Sequence, residues 1–161
     1  MREIMICTAE FSRTKELAAL FEETGKYHVY TALPRQDLLY SMEQDKVGVP
    51  QVLLLEVGRE LPFEAEHTLS ICVNIKEKFP RCKILLMADG RDSLLTHTAV
   101  RGRKFDLCDE FVFADDGLIP SNNYLLALVD VLIYDLEMKD DELESYPGSE
   151  PEDTMKGGGS D

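Results

Sequence analysis

The chain contains no tryptophan, no CxxC pair among its four cysteines, and only 17 basic residues against 31 acidic ones. The shortage of lysine and arginine excludes nonspecific nucleic-acid binding, which depends on neutralising phosphates. Cys7, Cys72, Cys82 and Cys108 lack metal-ligand spacing, and three of them fall in or beside apolar runs, so they read as reduced core thiols. No apolar run approaches the roughly 20 residues of a membrane span. The opening Met1-Arg2-Glu3-Ile4-Met5 does not begin a secretory signal, and the expectation is a cytoplasmic protein with no membrane partner. Also missing are GxSxG, a Walker phosphate loop, GxGxxG and HExxH, which leaves hydrolase, nucleotide and metalloprotease readings without their motifs. His28, His67 and His97 are scattered, with no partner at ligand spacing. The chain is not expected to be an enzyme.

What is present fits one domain: 161 residues, 44% of them hydrophobic, enough for a sizeable core. The net charge of −14 favours basic partners. Six of those negative charges lie in the stretch from Lys139 to Asp161, which has few apolar residues and two prolines. Such a segment cannot offset the entropy of ordering, so residues 139–161 are expected to be a disordered acidic tail behind a domain over 1–138.

Within that domain, apolar runs alternate with amphipathic stretches, the pattern of βα units around a parallel sheet. Strands are expected at Glu3 to Thr8, Tyr27 to Ala32, Val52 to Val57, Lys83 to Ala88 and Glu110 to Ala114. The first helix, capped by Ser12, turns Leu17, Leu20 and Phe21 inward and ends at Gly25. A short helix follows over Asp37 to Asp45. The third runs from Glu64 to Phe79, with Leu69, Cys72, Val73 and Phe79 inward, and is stopped by Pro80. The fourth is capped by Asp92 and runs to Arg103. The last follows Pro120 and Ser121, with Leu125, Leu128, Val129, Leu132 and Leu136 at helical spacing.

Five strands and five helices in this length suit a flavodoxin-like doubly wound α/β domain with strand order 2-1-3-4-5, whose ligand crevice lies at the carboxyl ends of the strands. Four strand ends therefore matter most: Ala9-Glu10, Glu56 after Val52-Leu53-Leu54-Leu55, Ala88-Asp89 and Ala114-Asp115.

In the order of its elements and the context of these strand ends, the chain resembles a response-regulator receiver domain over about residues 2–138. The resemblance implies an acidic pair that holds magnesium, a phosphoacceptor aspartate, a serine or threonine, and a lysine-proline, each at its own strand end. Those positions fall here on Ala9 and Glu10, on Glu56, on Ala88, and on Ala114 and Asp115. Phosphoryl transfer relies on a hard cation held by oxygen ligands and on a cationic side chain at the migrating oxygens. Ala114 supplies no cation, Ala88 offers no hydroxyl, and Glu56 is one methylene too long for aspartate geometry. The chain thus reads as a degenerate pseudo-receiver.

Two readings of Glu56 stay open. It imitates a phosphorylated aspartate and locks one signalling state, or it is a solvated acid at a strand end. A third use of the crevice, binding Mg2+ through Glu10 and Glu56 with Asp89, Asp115 and Asp116 nearby, conflicts with the absence of any dedicated ligand spacing.

One basic cluster stands against the acidic background: Arg91, Arg101, Arg103 and Lys104, with Asp92 as the single acid from 91 to 104. The resemblance makes the fourth helix, fifth strand and fifth helix a surface for dimerisation or partner docking, with Phe111 at the place of an aromatic switch. The expected function is a phosphorylation-independent signalling adaptor of two-component type, standing alone and acting through protein contacts. The alternative is a divalent-ion-responsive or residual phosphoacceptor that uses Glu10 and Glu56.

Overall fold

The computed structural model describes residues 1–34, 36–43, 48–114 and 122–145, with the backbone alone at 36, 37, 41, 122 and 141–145. In chain order the elements are β1 (Arg2–Cys7), α1 (Phe11–Glu22), β2 (Tyr27–Thr31), α2 (Gln36–Glu43), β3 (Val52–Glu56), α3 (Ala65–Lys78), β4 (Lys83–Asp89), α4 (Ser93–Lys104), β5 (Glu110–Ala114) and α5 (Asn122–Ser145). The strands form one parallel sheet in the order β2-β1-β3-β4-β5. This is the flavodoxin-like topology that the alternation of elements predicts.

The central strands are apolar through their middles because helices cover both faces of the sheet. Met5, Cys7, Leu53, Leu55, Ile84, Leu86 and Ala88 face one core, shared with α2, α3 and α4. Their neighbours Ile4, Ile6, Val52, Leu54, Leu85 and Met87 face the other, which α1 and α5 close through Leu17, Phe21, Leu125, Val129, Leu132 and Ile133. All four cysteines are buried free thiols within the first core. Gly102 lets α4 approach the sheet closely, since an added Cβ would sit 3.2 Å from Leu86 Cδ1.

Several boundaries differ from the sequence reading. Helix α1 starts at Phe11 behind Glu10, whose side chain makes no capping bond, so Ser12 lies inside the first turn instead of capping it. The helix ends before a turn closed by Gly25 at φ +74°. In α3, Glu64 caps the N-terminus by accepting from the His67 N–H at 3.0 Å, while Val73 lies on the outer side at 36% exposure. Asp92 caps α4 as expected, accepting from Leu94 and Leu95.

The largest correction concerns the acidic stretch. Helix α5 continues to Ser145, seven residues beyond the expected boundary at 138. Two ion pairs hold this extension: Lys139 with Asp135 at 3.4 Å, one turn back, and Arg81 with Asp140 at 2.7 Å. The expected tail from 146 onward lies outside the described residues, as do Asp115, Asp116, Pro120 and Ser121 and the expected end of α2 at Asp45. No helix among the described residues is long and apolar enough to cross a membrane.

Candidate functional site

Strand order places the crevice where β1 and β3 diverge, and β4 and β5 complete its rim. A cavity of about 190 Å³ opens there, lined by Arg13, Glu56, Gly58, Ala88, Asp89 and Ala114 among others. Glu56 reaches this point because β3 ends with it, in register with Met87 of β4.

Glu56 is not a freely solvated acid. Its Oε1 accepts the Ala9 N–H at 2.7 Å, and its Oε2 accepts from Arg13 Nη1 at 2.5 Å. The side chains of Glu56 and Arg13 are only 17% and 15% exposed, so the pair is largely withdrawn from water. Arg13 Nη2 also lies 3.5 Å from Glu10 Oε1. The guanidinium thus bridges Glu10 and Glu56 from within α1. Charge-assisted bonds of this kind are short and strong because both partners are ionised.

Arg13 is the crevice residue that the sequence reading missed. Its position three residues after Glu10, on the helix that leaves β1, is the signal that marks it. A helical i,i+3 spacing puts the two side chains on one face, and β1 lies next to β3.

The loops around the crevice are tied as well. Arg59, just beyond β3, donates twice to Asp92, through Nε at 2.6 Å and Nη2 at 2.7 Å. This fork clasps the segment after β3 to the start of α4. Those bonds hold the Asp92 carboxyl below the usual carboxylate range. Asp89, at the end of β4, accepts the Arg91 N–H at 2.9 Å, which together with the Arg91 side chain lowers its pKa too. Asp89 therefore serves its own turn. Ala88 is buried, and the Ala114 carbonyl accepts the Gly90 N–H at 3.0 Å, closing the rim between β4 and β5.

These residues do not fit a Mg2+ ion. Mg2+ is commonly held through one or two carboxylates and its own waters, and here both Glu56 oxygens are engaged, by the Ala9 N–H and by Arg13, with Glu10 beside the same guanidinium. Among the described residues no group of three or more His, Cys, Asp or Glu is placed to hold a metal.

The bases of α4 are exposed but do not share one face, since Arg101 and Arg103 flank the buried Gly102 on opposite sides of the helix. Arg101 lies 3.6 Å from Glu66, Arg103 lies 3.9 Å from Asp106, and Lys104 sits 5.9 Å from the centre of the Phe105 ring. All three are exposed at loose distances, so their charges remain available to a partner. Arg91 stands apart, on the rim with Asp89. Phe111 is half-buried against the α4 core and stacks at 5.1 Å with Phe113, which is exposed. Of the histidines, His67 is tied to the Pro34 carbonyl at 2.8 Å and His28 lies against Tyr30, while His97 is exposed on α4.

No family model matches the chain, and no curated protein matches it in sequence. Solved structures do match in fold. NtrX from Brucella abortus, solved in complex with ADP, aligns at a TM-score of 0.69 and 14% identity over 89% of this chain, which spans 29% of the NtrX chain. A CheY-like response-regulator receiver domain protein from Methanospirillum hungatei aligns at 0.66 and 12% identity, covering 86% of this chain and 98% of that one. A response regulator from Thermotoga maritima aligns at 0.62 and 18% identity, covering 83% and 98%. The fold is that of response-regulator receiver domains.

Proposed function

We propose that this chain is a pseudo-receiver of two-component type, a phosphorylation-independent signalling adaptor that works in the cytoplasm through protein contacts and carries no catalytic step. A fold alone does not assign a function, so the reading rests on the site. The observation that carries it is the bridge from Arg13 to Glu56. The acid at the phosphoacceptor position has both oxygens engaged, one by a backbone N–H and one by a guanidinium.

In this reading Arg13 supplies permanently the positive charge that an ion would bring transiently. Glu56 then imitates a phosphorylated aspartate only in charge, because its partner is Arg13, with alanine at positions 88 and 114. The clasp of Arg59 on Asp92 favours a single arrangement of the loops. A chain fixed in this way signals by which partner it holds, and the exposed bases Arg101, Arg103 and Lys104 with Phe111 and Phe113 form the surface offered for that role on α4, β5 and α5. Use of Glu10 and Glu56 as a residual phosphoacceptor or ion site requires Arg13 to be displaced first.

The test is partner capture from native lysate with three proteins: wild type, Glu56→Gln, and the triple variant Arg101→Glu, Arg103→Glu, Lys104→Glu. Wild type and Glu56→Gln are expected to retain the same partners, with or without Mg2+ and acetyl phosphate, while the triple variant loses them. A partner set that changes with the phosphodonor contradicts the reading.

A further inference from the structure

A cavity of about 340 Å³ lies at the amino-terminal edge of the sheet, the edge opposite the crevice. It is bounded by the residues that lead into β3, by the turn between α3 and β4, and by the later turns of α5. Its volume falls at the lower end of the range for small-molecule sites, roughly 300–1,000 Å³. Apolar side chains supply most of the wall, namely Val49, Pro50, Phe79, Pro80 and Leu136. Pro50 and Leu136 are buried, whereas Val49 is 41% exposed. A mostly apolar wall with a few polar groups is the usual make-up of a ligand pocket.

The polar side chains of the lining are Gln51, Arg81, Glu137 and Asp140. Gln51 is held rigidly. Its backbone N–H donates to the Glu3 carbonyl at 2.8 Å, its carbonyl accepts the Lys83 N–H at 2.9 Å, and its side-chain oxygen accepts the Glu3 N–H at 3.0 Å. Among the described residues, the amide N–H groups of this side chain have no protein acceptor. Arg81 donates through Nη2 to Asp140 Oδ2 at 2.7 Å, and neither its other N–H groups nor Asp140 Oδ1 is engaged by the described residues. Both side chains are about half exposed, so the pair alone contributes little to stability. Glu137, one turn before Asp140 on the same face of α5, reaches only Arg2, at 3.7 Å.

We propose that this cavity binds a free α-amino acid with an apolar side chain. The Arg81–Asp140 pair presents a positive and a negative group side by side. An α-amino acid carries the reverse pair, a carboxylate and an ammonium on one carbon. Set antiparallel, the two pairs close a ring of alternating charges. The ligand carboxylate accepts from the open N–H groups of Arg81, and the ammonium donates to Asp140 Oδ1, both as charge-assisted bonds. Glu137 adds an acceptor for the ammonium, and the Gln51 amide adds a donor for the carboxylate. The ligand's side chain lies against Val49, Phe79 and Leu136.

Charge selects this class. A simple amine brings its charge towards Arg81, and a simple carboxylate brings its own towards Asp140 and Glu137. Each meets a like charge that the zwitterion offsets. Occupancy also bears on α5, because the Arg81–Asp140 pair holds the end of that helix. A ligand bonded to both residues ties them further and slows amide exchange over residues 139–145. The site lies at the opposite edge of the sheet from Glu56 and stands independently of the adaptor reading.

Amide spectra of the full chain titrated with L-phenylalanine test the proposal, with phenethylamine and 3-phenylpropionate as single-charge probes. Phenylalanine is expected to give saturable shifts at Gln51, Arg81, Cys82 and Glu137, half complete at or below about 1 mM, the scale of a weak complex. Phenethylamine and phenylpropionate are expected to bind at least about tenfold more weakly, each lacking one bond to a charged group. Asp140→Asn, at an exposed position, should leave thermal unfolding close to that of the wild type and weaken phenylalanine binding at least about tenfold. The absence of saturable shifts up to about 10 mM overturns the proposal. So does a single-charge probe that binds as tightly as phenylalanine, or binding that survives Asp140→Asn. Shifts confined to the crevice amides of Glu56 and Ala88 overturn it too.

Discussion

Arg13 donates to Glu56 from the first turn of α1 at 2.5 Å, so the cation of the crevice comes from the helix after β1, whereas β5 ends in Ala114. This one contact joins the β1 side of the crevice to the end of β3. Receiver chemistry needs an exchangeable cation and a free carboxylate at that place. Here each occupies the other.

Removing the guanidinium leaves a mostly buried carboxylate with a single backbone donor. Arg13→Ala is expected to destabilise the fold by about 1–3 kcal/mol, the range for a hydrogen bond to a charged group and the desolvation it offsets. Urea unfolding read by circular dichroism checks this. Glu56→Gln, which keeps an acceptor for Ala9 but loses the charge, should cost less than Arg13→Ala.

Asp92 caps α4 and receives the Arg59 fork, and both interactions hold its pKa down. A carboxyl whose folded pKa is depressed stabilises the fold above its ordinary value near 4, and that contribution is lost as pH falls through the folded value. Asp92→Ala should therefore lower the melting temperature at pH 7, and the gap from wild type should close as pH falls from about 5 towards 2. A gap that persists at low pH would contradict the assignment.

At alkaline pH the opposite sign applies. Burial pushes the thiols of Cys7, Cys82 and Cys108 up to about 12. Tyr27, buried and donating to Asp130, is pushed up to about 12 as well. These groups keep their protons in the folded chain after the unfolded chain has lost them. Stability is full below the ordinary thiol value near 9 and declines above it, measurable as a falling urea midpoint. Cys7→Ser should lower the urea midpoint at neutral pH, because the core loses an apolar contact and must bury a hydroxyl, and should make the alkaline decline shallower, because one titrating thiol is gone.

Gly102 is the contact point of α4 with Leu86 and Cys108. Gly102→Val forces α4 away from β4 and is expected to cost about 1–3 kcal/mol, as overpacking does. Chemical denaturation checks it, and an unchanged midpoint would show that the helix can shift freely.

The fold was readable because the sheet is covered on both faces, which makes its central strands continuous apolar runs such as Val52 to Leu55. Asp92 was readable because a cap acts within one turn. Arg13 was readable only as far as Glu10, three residues before it; its pairing with Glu56, 43 residues away, is one that local pattern does not identify. The end of α5 was misjudged for a similar reason: Asp140 reads as part of a solvated acidic run until Arg81, 59 residues earlier, is placed beside it. Arg81→Ala should accordingly speed amide exchange over residues 139–145 and leave the rest of α5 protected.

The most direct measurement is the amide spectrum of the full chain during titration with Mg2+ and then with beryllofluoride, a phosphoryl mimic. With Arg13 holding Glu56, the amides of Ala9, Glu10, Glu56, Ala88 and Asp89 are expected to stay in place, whereas Arg13→Ala should allow Mg2+ to move those of Glu10 and Glu56. Saturable shifts of these amides in the wild-type protein would contradict the account and return the crevice to ion-dependent phosphoryl chemistry.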